Sequence, residues 1–287
     1  MRGSPRPGDD VFIDIRDVGK VYEADEDPVE ALQGVSLQVR RGEFVSLLGP
    51  SGCGKSTLLM IVGGLVAPTT GQVFLEGTPV SGTQTSIGIV FQDPVLLEWR
   101  TSLENVMIQA EARRLDRKAY TQRARQLLAS VGLERFEDKH PYELSGGMRQ
   151  RVSICRALLH QPPLLLMDEP FGALDALTRD QMNLDLQRMW LRDPVTVVLV
   201  THSIAEAVFL SDRVFVMSPR PGTVDCVVEV DLPRPRGLQT QEYRFFEEFE
   251  PDPRAHPRPA TLLRGVGIDL KEMLVEIEAW AVVPRKK

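Results

Sequence analysis

Short apolar runs and longer amphipathic stretches alternate along the chain. Strand-length apolar runs dominate its first third and return later, at 11–15, 35–39, 44–48, 73–75, 87–91, 164–167, 195–200 and 214–217. Stretches typical of helices fill much of the later chain, at 102–131, at 176–191 and from Ile204 onward. Buried strands that alternate with helices predict parallel strands joined by crossover helices. We therefore predict an α/β fold in which a mostly helical block interrupts the core sheet.

Composition describes an ordinary globular chain. It has 287 residues, 43% hydrophobic and 26% charged, which is enough for one large or two small domains. The formal net charge of -6 gives no overall attraction to nucleic acid, whose binding usually needs clustered Lys and Arg, so we expect no nucleic-acid partner. Cys53, Cys155 and Cys226 are odd in number and far apart, which favours reduced thiols over a disulfide scaffold or a zinc site.

The chain shows no sequence pattern that would insert it into a membrane. Residues 1–10 lack the apolar core of a secretory signal and are interpreted as a flexible lead. The longest apolar runs, such as Val195 to Val200, have only the length of a strand. We therefore expect any work at a membrane to depend on a separate anchor.

A glycine-rich loop follows the apolar run Phe44 to Leu48. It matches the phosphate-binding P-loop pattern, since a buried strand precedes it and the helix-forming run Leu58 to Val62 follows. Its glycines let backbone N–H groups turn toward phosphate oxygens, and the next helix directs its positive dipole end at the same anion. We predict that the whole loop binds nucleotide, through Gly49, Pro50, Ser51, Gly52, Cys53, Gly54, Lys55, Ser56 and Thr57.

Two residues of this loop have specific predicted roles. Lys55 is expected to reach the β- and γ-phosphates of the nucleotide, and the Ser56 hydroxyl to ligate Mg²⁺.

An acidic pair, Asp168 and Glu169, ends another apolar run, at the edge of a parallel sheet where ligands bind. Asp168 is expected to orient Mg²⁺ or its water, and Glu169 to polarise the attacking water.

A third motif reads LSGGMRQ, from Leu144 to Gln150, and opens a helix that is predicted to run to about His160. Ser145 is a good N-cap, while Gly146 and Gly147 leave room for a ligand, so this helix start resembles a second anion site. One nucleotide needs only one such cradle for its terminal phosphate. The surplus is explained if each chain lends its second cradle to the nucleotide of a partner chain.

These motifs, in this order, resemble those of the nucleotide-binding subunits of ABC transporters over roughly Val11 to Val230. The resemblance implies a P-loop NTPase core with an antiparallel β subdomain and a helical insertion subdomain. It places the nucleotide-binding domain at 11–232, with the helical part at about 93–160. It also adds Gln150 of the signature to the ATP-binding residues.

The resemblance implies roles for further residues. Tyr22 would stack on adenine, as an aromatic does before the P-loop in this family. Gln92, after the run 87–91, would meet Mg²⁺ or the water near the γ-phosphate, and His202 would contact the γ-phosphate and hold the catalytic geometry. Asp175, in the sequence Ala173-Leu174-Asp175, would lie at the seam of a dimer.

The resemblance also implies an assembly. Two identical chains would sandwich two ATP molecules, each between the P-loop of one chain and the signature of the other. Integral membrane permease subunits would be separate proteins, contacted through the segment around Leu96 to Leu103, and the chain would sit peripherally on the cytoplasmic face of the inner membrane. An extracytoplasmic solute-binding protein would act with the permease.

The segments 200–210 and 216–222 resemble the importer branch that serves nitrate, sulfonate, taurine and bicarbonate. This branch commonly places a proline before the tryptophan, where this chain has Glu98. The permease to which this chain docks is therefore expected to differ from the usual partner of the branch. The alternatives are an ABC-type ATPase with a non-transport role, for which the expected long coiled coil is missing, or a regulatory subunit that has lost hydrolysis. Such a subunit would have lost Glu169 or His202, and both are present.

The C-terminal part, 233–287, is predicted to be an extension of the domain. Residues 233–237 are interpreted as a linker, followed by an aromatic cluster and the proline-rich stretch 251–259. A capping box at Asp269 predicts a terminal helix with one apolar face, which we expect to pack on the chain's own domain.

Overall fold

The computed structural model describes residues 11–23 and 27–237, called the described part below. Residues 1–10, 24–26 and 238–287 lie outside it, and so do the predicted lead, the aromatic cluster and the terminal helix. The strands of the described part are, in chain order, β1 (Val11–Tyr22), β2 (Val29–Arg40), β3 (Phe44–Leu48), β4 (Thr70–Leu75), β5 (Thr78–Pro79), β6 (Gly88–Val90), β7 (Leu164–Asp168), β8 (Thr196–Thr201), β9 (Arg213–Met217) and β10 (Val224–Glu229).

The helices of the described part follow the predicted stretches. They are α1 (Lys55–Val62), α2 (Ser102–Ala112), α3 (Arg117–Ser130), α4 (Gly146–Leu158), α5 (Ala176–Arg192) and α6 (Ile204–Leu210). The predicted block 102–131 is two helices, because Asp116 accepts the amides of Lys118 and Ala119 and caps the second. No helix in the described part is long and apolar enough to cross a bilayer.

The strands form two sheets. The antiparallel sheet has the order β2-β1-β4-β5, and the core sheet has the order β10-β9-β3-β8-β7-β6. In the core sheet β3 pairs in parallel with both β8 and β9, and β7 pairs in parallel with β6 and β8, while β10 is an antiparallel edge strand. The P-loop and the segments that carry Gln92, Glu169 and His202 therefore leave the same edge of one sheet, after β3, β6, β7 and β8.

Alternate residues of the core strands face two separate apolar clusters. Val198 and Val200 of β8 pack with α1 and the antiparallel sheet, whereas Val197 and Leu199 pack with the helices of the insertion. Strand β8 is buried along its whole length because both of its faces are covered, as is usual in parallel sheets. The core sheet is thus held rigidly from both sides, which fixes the loops at its edge.

The segment after β10 differs from the predicted linker. Arg236 is 5% exposed and donates to carbonyls at the end of α6, those of Val208, Phe209 and Ser211. Gln187 of α5 exchanges two hydrogen bonds with the backbone of Arg236, both 2.6 Å long. Proline, glycine and arginine are typical of linkers, but the five donors of a guanidinium can satisfy helix-end carbonyls, so residues 233–237 pack against the domain up to Arg236.

Candidate nucleotide site

The loop after β3 has the backbone of a phosphate cradle. Gly52 and Gly54 have φ angles of +80° and +106°, in the region that favours glycine. A Cβ on Gly54 would lie 2.6 Å from the carbonyl oxygen of Ala31, so no larger side chain fits there. Helix α1 starts directly after Gly54, and its N-cap makes no side-chain hydrogen bond, which leaves its first amides available to an anion.

Lys55 is a buried cation without a carboxylate partner in the described part. Its side chain donates to the carbonyl oxygens of Gly49 and Pro50, both at 2.8 Å, and the residue is 4% exposed. Burying an ammonium group without a counter-ion is costly, so this arrangement favours an anion beside it. Cys53 lies 3.9 Å from the lysine, and burial raises the pKa of its thiol.

The two residues predicted to bind Mg²⁺ from the P-loop and from β7, Ser56 and Asp168, are hydrogen-bonded to each other. The Ser56 hydroxyl donates to Oδ1 of Asp168 at 2.7 Å, so the two oxygens converge where the P-loop approaches the end of β7. Burial raises the pKa of Asp168, although the Ser56 hydrogen bond and the Lys55 charge oppose the shift. A hydroxyl and a carboxylate at this distance form an oxygen donor set that suits Mg²⁺.

Glu169 and His202 face each other across two neighbouring strands. Nδ1 of His202 lies 3.0 Å from Oε2 of Glu169. Glu169 has a φ angle of +42°, unusual for a residue with a side chain, and its amide donates to Val200 at 2.9 Å. Strain of this kind persists only where its surroundings hold it, and here it directs the carboxylate toward the histidine.

Tyr22 and Gln92 come from different sheets, Tyr22 from the end of β1 and Gln92 from the loop after β6. The Tyr22 hydroxyl is 3.5 Å from that of Thr57, and the residue is 40% exposed. The Lys20 ammonium lies 5.0 Å from the centroid of the Tyr22 ring. Gln92 is exposed on the loop after β6 and makes no side-chain hydrogen bond in the described part. Gln150 of the signature donates to the carbonyl of Phe91 at 3.3 Å, so it connects α4 to the residue before Gln92.

The signature lies apart from the other motifs. Ser145 accepts the amide of Met148 at 3.3 Å and caps α4, as predicted, and Ser145 and Gly146 are exposed. Gly147 is buried against α5, where a Cβ would lie 2.6 Å from Cγ2 of Thr178. In the described part no hydrogen bond joins Ser145, Gly146 or Gly147 to the P-loop.

Some contacts around the site were not predicted from the sequence. Asp175 caps α5 by accepting the amide and the hydroxyl of Thr178, and these hydrogen bonds lower the pKa of Asp175. Thr201 and Glu206 form a buried polar pair beside His202, and the half-buried Arg179 joins it through Glu206. The only sequence signal for this group is an acidic residue in the otherwise apolar helix that follows His202.

Fold and site together define a P-loop nucleotide hydrolase, and the comparisons identify its family. The family model for ABC transporters matches residues 32–172. An uncharacterized ABC transporter ATP-binding protein of Methanocaldococcus jannaschii is 45% identical over 237 residues, 82% of this chain and 89% of that protein. The chain belongs to the family of ABC transporter ATP-binding proteins, and it is an ATPase subunit.

Two further relatives have assigned names. A taurine import ATP-binding protein of Roseobacter denitrificans is 46% identical over 69% of this chain and 74% of its own length. An aliphatic sulfonates import ATP-binding protein of Bacillus cereus is 39% identical over 83% of this chain and 96% of its own length. A solved dimer of an ATP-binding cassette with bound ADP and Pi matches with a TM-score of 0.69 and 35% identity, over 77% of this chain and 100% of the other.

Proposed function

We propose that the chain is the ATP-hydrolysing subunit of an importer for small sulfonates such as taurine. Two relatives that are 46% and 39% identical carry the names of taurine and aliphatic sulfonate import proteins. The observation that carries the catalytic part of the proposal is the pairing of Glu169 with His202 at 3.0 Å, beside a buried Lys55 that has no carboxylate partner in the described part. A regulatory subunit without hydrolysis would have no need of this geometry.

We further propose how the residues divide the work of hydrolysis. Lys55 and the amides at the start of α1 hold the terminal phosphates, while Tyr22 stacks on the base. Glu169 orients and polarises the attacking water, and His202 holds Glu169 in place and contacts the γ-phosphate. Because the transition state gains little from covalent help, this positioning provides most of the catalysis.

Mg²⁺ fits the donor set described above. Ser56 and Asp168 already place a hydroxyl and a carboxylate oxygen 2.7 Å apart, and the exposed amide of Gln92 can be added from the neighbouring strand β6. When it is bound, the ion would neutralise charge on the phosphate oxygens. Ser56 and Gln92 would ligate it, and Asp168 would hold it or its water.

The separate signature supports a shared site. In our proposal Ser145, Gly146, Gly147 and Gln150 complete the nucleotide site of a second copy, and Asp175 lies at the seam between the copies. Separate permease subunits in the inner membrane would dock on the cytoplasmic side, on the segment around Leu96 to Leu103, where Trp99 is 73% exposed. A solute-binding protein outside the membrane would deliver the sulfonate.

The replacement Glu169→Gln in the full-length chain tests the catalytic proposal. Hydrolysis is expected to fall by about 10²- to 10⁴-fold, the usual contribution of a general base, while ATP binding persists. The exposed Glu76, which pairs with Arg41 on the antiparallel sheet, supplies the control E76Q, expected to be as active as wild type. Hydrolysis by E169Q at the wild-type rate would refute the role of Glu169.

The sulfonate assignment needs a separate experiment. Taurine uptake would be measured in cells that lack this chain and receive either wild type or E169Q. Uptake restored by wild type alone supports the proposal. If wild type restores the uptake of an unrelated solute but not of taurine or another sulfonate, the substrate class is wrong although the ATPase role stands.

A further inference from the structure

A buried carboxylate stands in the first turn of α6, four residues after His202. Glu206 is 4% exposed, and burial raises the pKa of its carboxyl group, although a hydrogen bond from Thr201 and the charge of Arg179 oppose the shift. Removing a carboxylate from water is costly unless its partners compensate. The contacts of Glu206 therefore need an explanation beyond ordinary packing.

These contacts hold the backbone on both sides of His202. The Thr201 hydroxyl donates to Oε2 of Glu206 at 2.7 Å, and the same hydroxyl accepts the amide of Ser203 at 3.0 Å. Thr201 is the last residue of β8, and Ser203 is the N-cap of α6. Glu206 thus fixes the junction from which the His202 ring reaches Glu169.

Arg179 connects the same carboxylate to another loop. Its Nε lies 3.5 Å from Oε1 of Glu206, and its Nη2 donates to the carbonyl of Leu174 at 3.0 Å. Nε is buried without a hydrogen-bond partner, so the ion pair with Glu206 is its main compensation in the described part. Leu174 lies in the turn between Glu169 and Asp175, and this turn is the segment proposed above to lie at the seam of the dimer.

We infer that Arg179 and Glu206 are positioning residues, which hold His202 against Glu169 and couple it to the turn at Leu174. The inference rests on the proposed function, because it assigns Glu169 and His202 to hydrolysis. When a second copy displaces the turn, the Leu174 carbonyl moves Arg179, and Glu206 passes the displacement to the Thr201–Ser203 junction. A contact at the seam then acts on the alignment of His202 with Glu169, which the single chain already holds at 3.0 Å. A pair that merely packed α5 on α6 would have no such effect on turnover.

The replacement E206Q in the full-length chain tests the positioning role. A glutamine keeps the shape of the side chain and an acceptor for Thr201, but it loses the charge that pairs with Arg179. We expect kcat for ATP to fall about 10- to 100-fold, with KM within about 3-fold of wild type, as for an interaction made in the transition state. R179K should behave alike, because one ammonium group cannot reach both Glu206 and Leu174.

A double replacement shows whether the two residues act as one unit. R179K/E206Q is expected to be no slower than the slower of R179K and E206Q, within about 2-fold, since coupled residues are not additive. The inference is overturned if E206Q has the wild-type kcat, if its KM rises in step with the loss of kcat, or if the two losses multiply.

Glu43 supplies the matched control. It is also a buried carboxylate, 8% exposed, and it pairs with Arg213 at 3.1 Å, but it precedes β3 at the opposite edge of the core sheet. E43Q is expected to keep kcat within about 2-fold of wild type, as for a position away from the reacting groups. If E43Q loses as much turnover as E206Q, the effect of E206Q is one of folding and the inference fails.

The variant H202A separates this inference from the proposed function. If H202A hydrolyses ATP as fast as wild type, the assignment of His202 fails, and the inference fails with it. If H202A is inactive while E206Q and R179K are fully active, only the inference fails. A loss in all three variants, with E43Q active, supports both.

Discussion

Asp168 carries a charge that its surroundings disfavour. Burial raises the pKa of its carboxyl group above the ordinary value of 3.8, so the folded chain binds this proton more tightly than the unfolded chain does. The contribution of the group to stability is therefore largest at acidic pH, and it is lost as the pH rises through the ordinary pKa and then through the raised one. At neutral pH the ionised carboxylate is retained for its chemistry and not for stability.

We predict that D168N is at least as stable as wild type at neutral pH. The difference in thermal unfolding midpoint between D168N and wild type should shrink in acid. There the aspartate of the wild type is protonated, so both chains carry a neutral side chain at this position. Its Mg²⁺-dependent ATP hydrolysis should fall at least about tenfold, because the metal loses a positioning carboxylate. Calorimetry at acidic and neutral pH, together with an ATPase assay, checks both parts, and a D168N chain that unfolds more easily at neutral pH would contradict the first.

The sequence predicts the positions of some residues around the site better than those of others. Lys55 and Ser56 could be located between a strand and a helix because the strand, the loop and the helix follow one another in consecutive residues, and Asp168 could be located at the end of a separate apolar run. The burial of Glu206 could not be predicted, because the partner of its carboxylate, Arg179, comes from a helix that is distant in the sequence. The roles of Tyr22 and Gln92 came from family resemblance and stay predictions.

The start of α4 depends on close contact with α5. A Cβ on Gly147 would lie 2.6 Å from the Thr178 methyl group, so G147A is expected to push the signature out of place, at a cost of about 1–3 kcal/mol. We predict that G147A lowers ATP hydrolysis. T178S removes the methyl group and keeps the hydroxyl that bonds Asp175, so G147A/T178S should recover much of the activity.

T178S by itself is the control for this pair, and it should hydrolyse ATP nearly as fast as wild type. The measurement is the steady-state ATPase rate of the three variants. Wild-type activity in G147A, or a double variant as slow as G147A, would mean that this contact does not position the signature.

The carboxyl end of α6 is closed by a side chain from beyond β10. Burial lowers the pKa of Arg236 to about 10, so the guanidinium stays charged at neutral pH. It donates to carbonyl oxygens of α6 and of its own segment, at Val208, Phe209, Ser211, Val230 and Leu232. A cation at the end of a helix also interacts favourably with the helix dipole.

We predict that R236M lowers the free energy of unfolding by about 3–5 kcal/mol, because several buried carbonyls lose their donor. Arg16, whose side chain is 65% exposed beside Asp14, offers the control R16M, expected to change stability by less than about 1 kcal/mol. Urea unfolding of both variants measures the difference. Equal stability of R236M and wild type would show that residues 233–237 are held by other contacts.

The succession of strands and helices was predictable because the apolar periodicity is strong, and the parallel core sheet is confirmed. The two-helix character of 102–131 depended on a local cap at Asp116 that periodicity does not report. Composition predicts a linker at 233–237, but it cannot show that Arg236 reaches the end of α6 and packs there. In each case the deciding contact was a side-chain hydrogen bond and not a hydrophobic pattern.

Considered as a whole, the described part of one chain carries two groups of motifs that do not meet. The P-loop, Asp168, Glu169 and His202 gather at one edge of the core sheet, while Ser145 and Gly146 are exposed at the start of α4. A solved cassette that resembles this chain, bound to ADP and Pi, is a dimer. The central claim is that a second copy brings its signature to the phosphates of the first.

The mass of full-length E169Q, measured by light scattering with and without ATP and Mg²⁺, tests this claim most directly. Because hydrolysis is blocked, the closed state should accumulate. The account predicts that the mass doubles on adding nucleotide, with two ATP molecules per dimer, and that Ser145→Arg, which crowds the second cradle, prevents the doubling. An E169Q chain that stays monomeric at saturating ATP and high protein concentration would contradict the account.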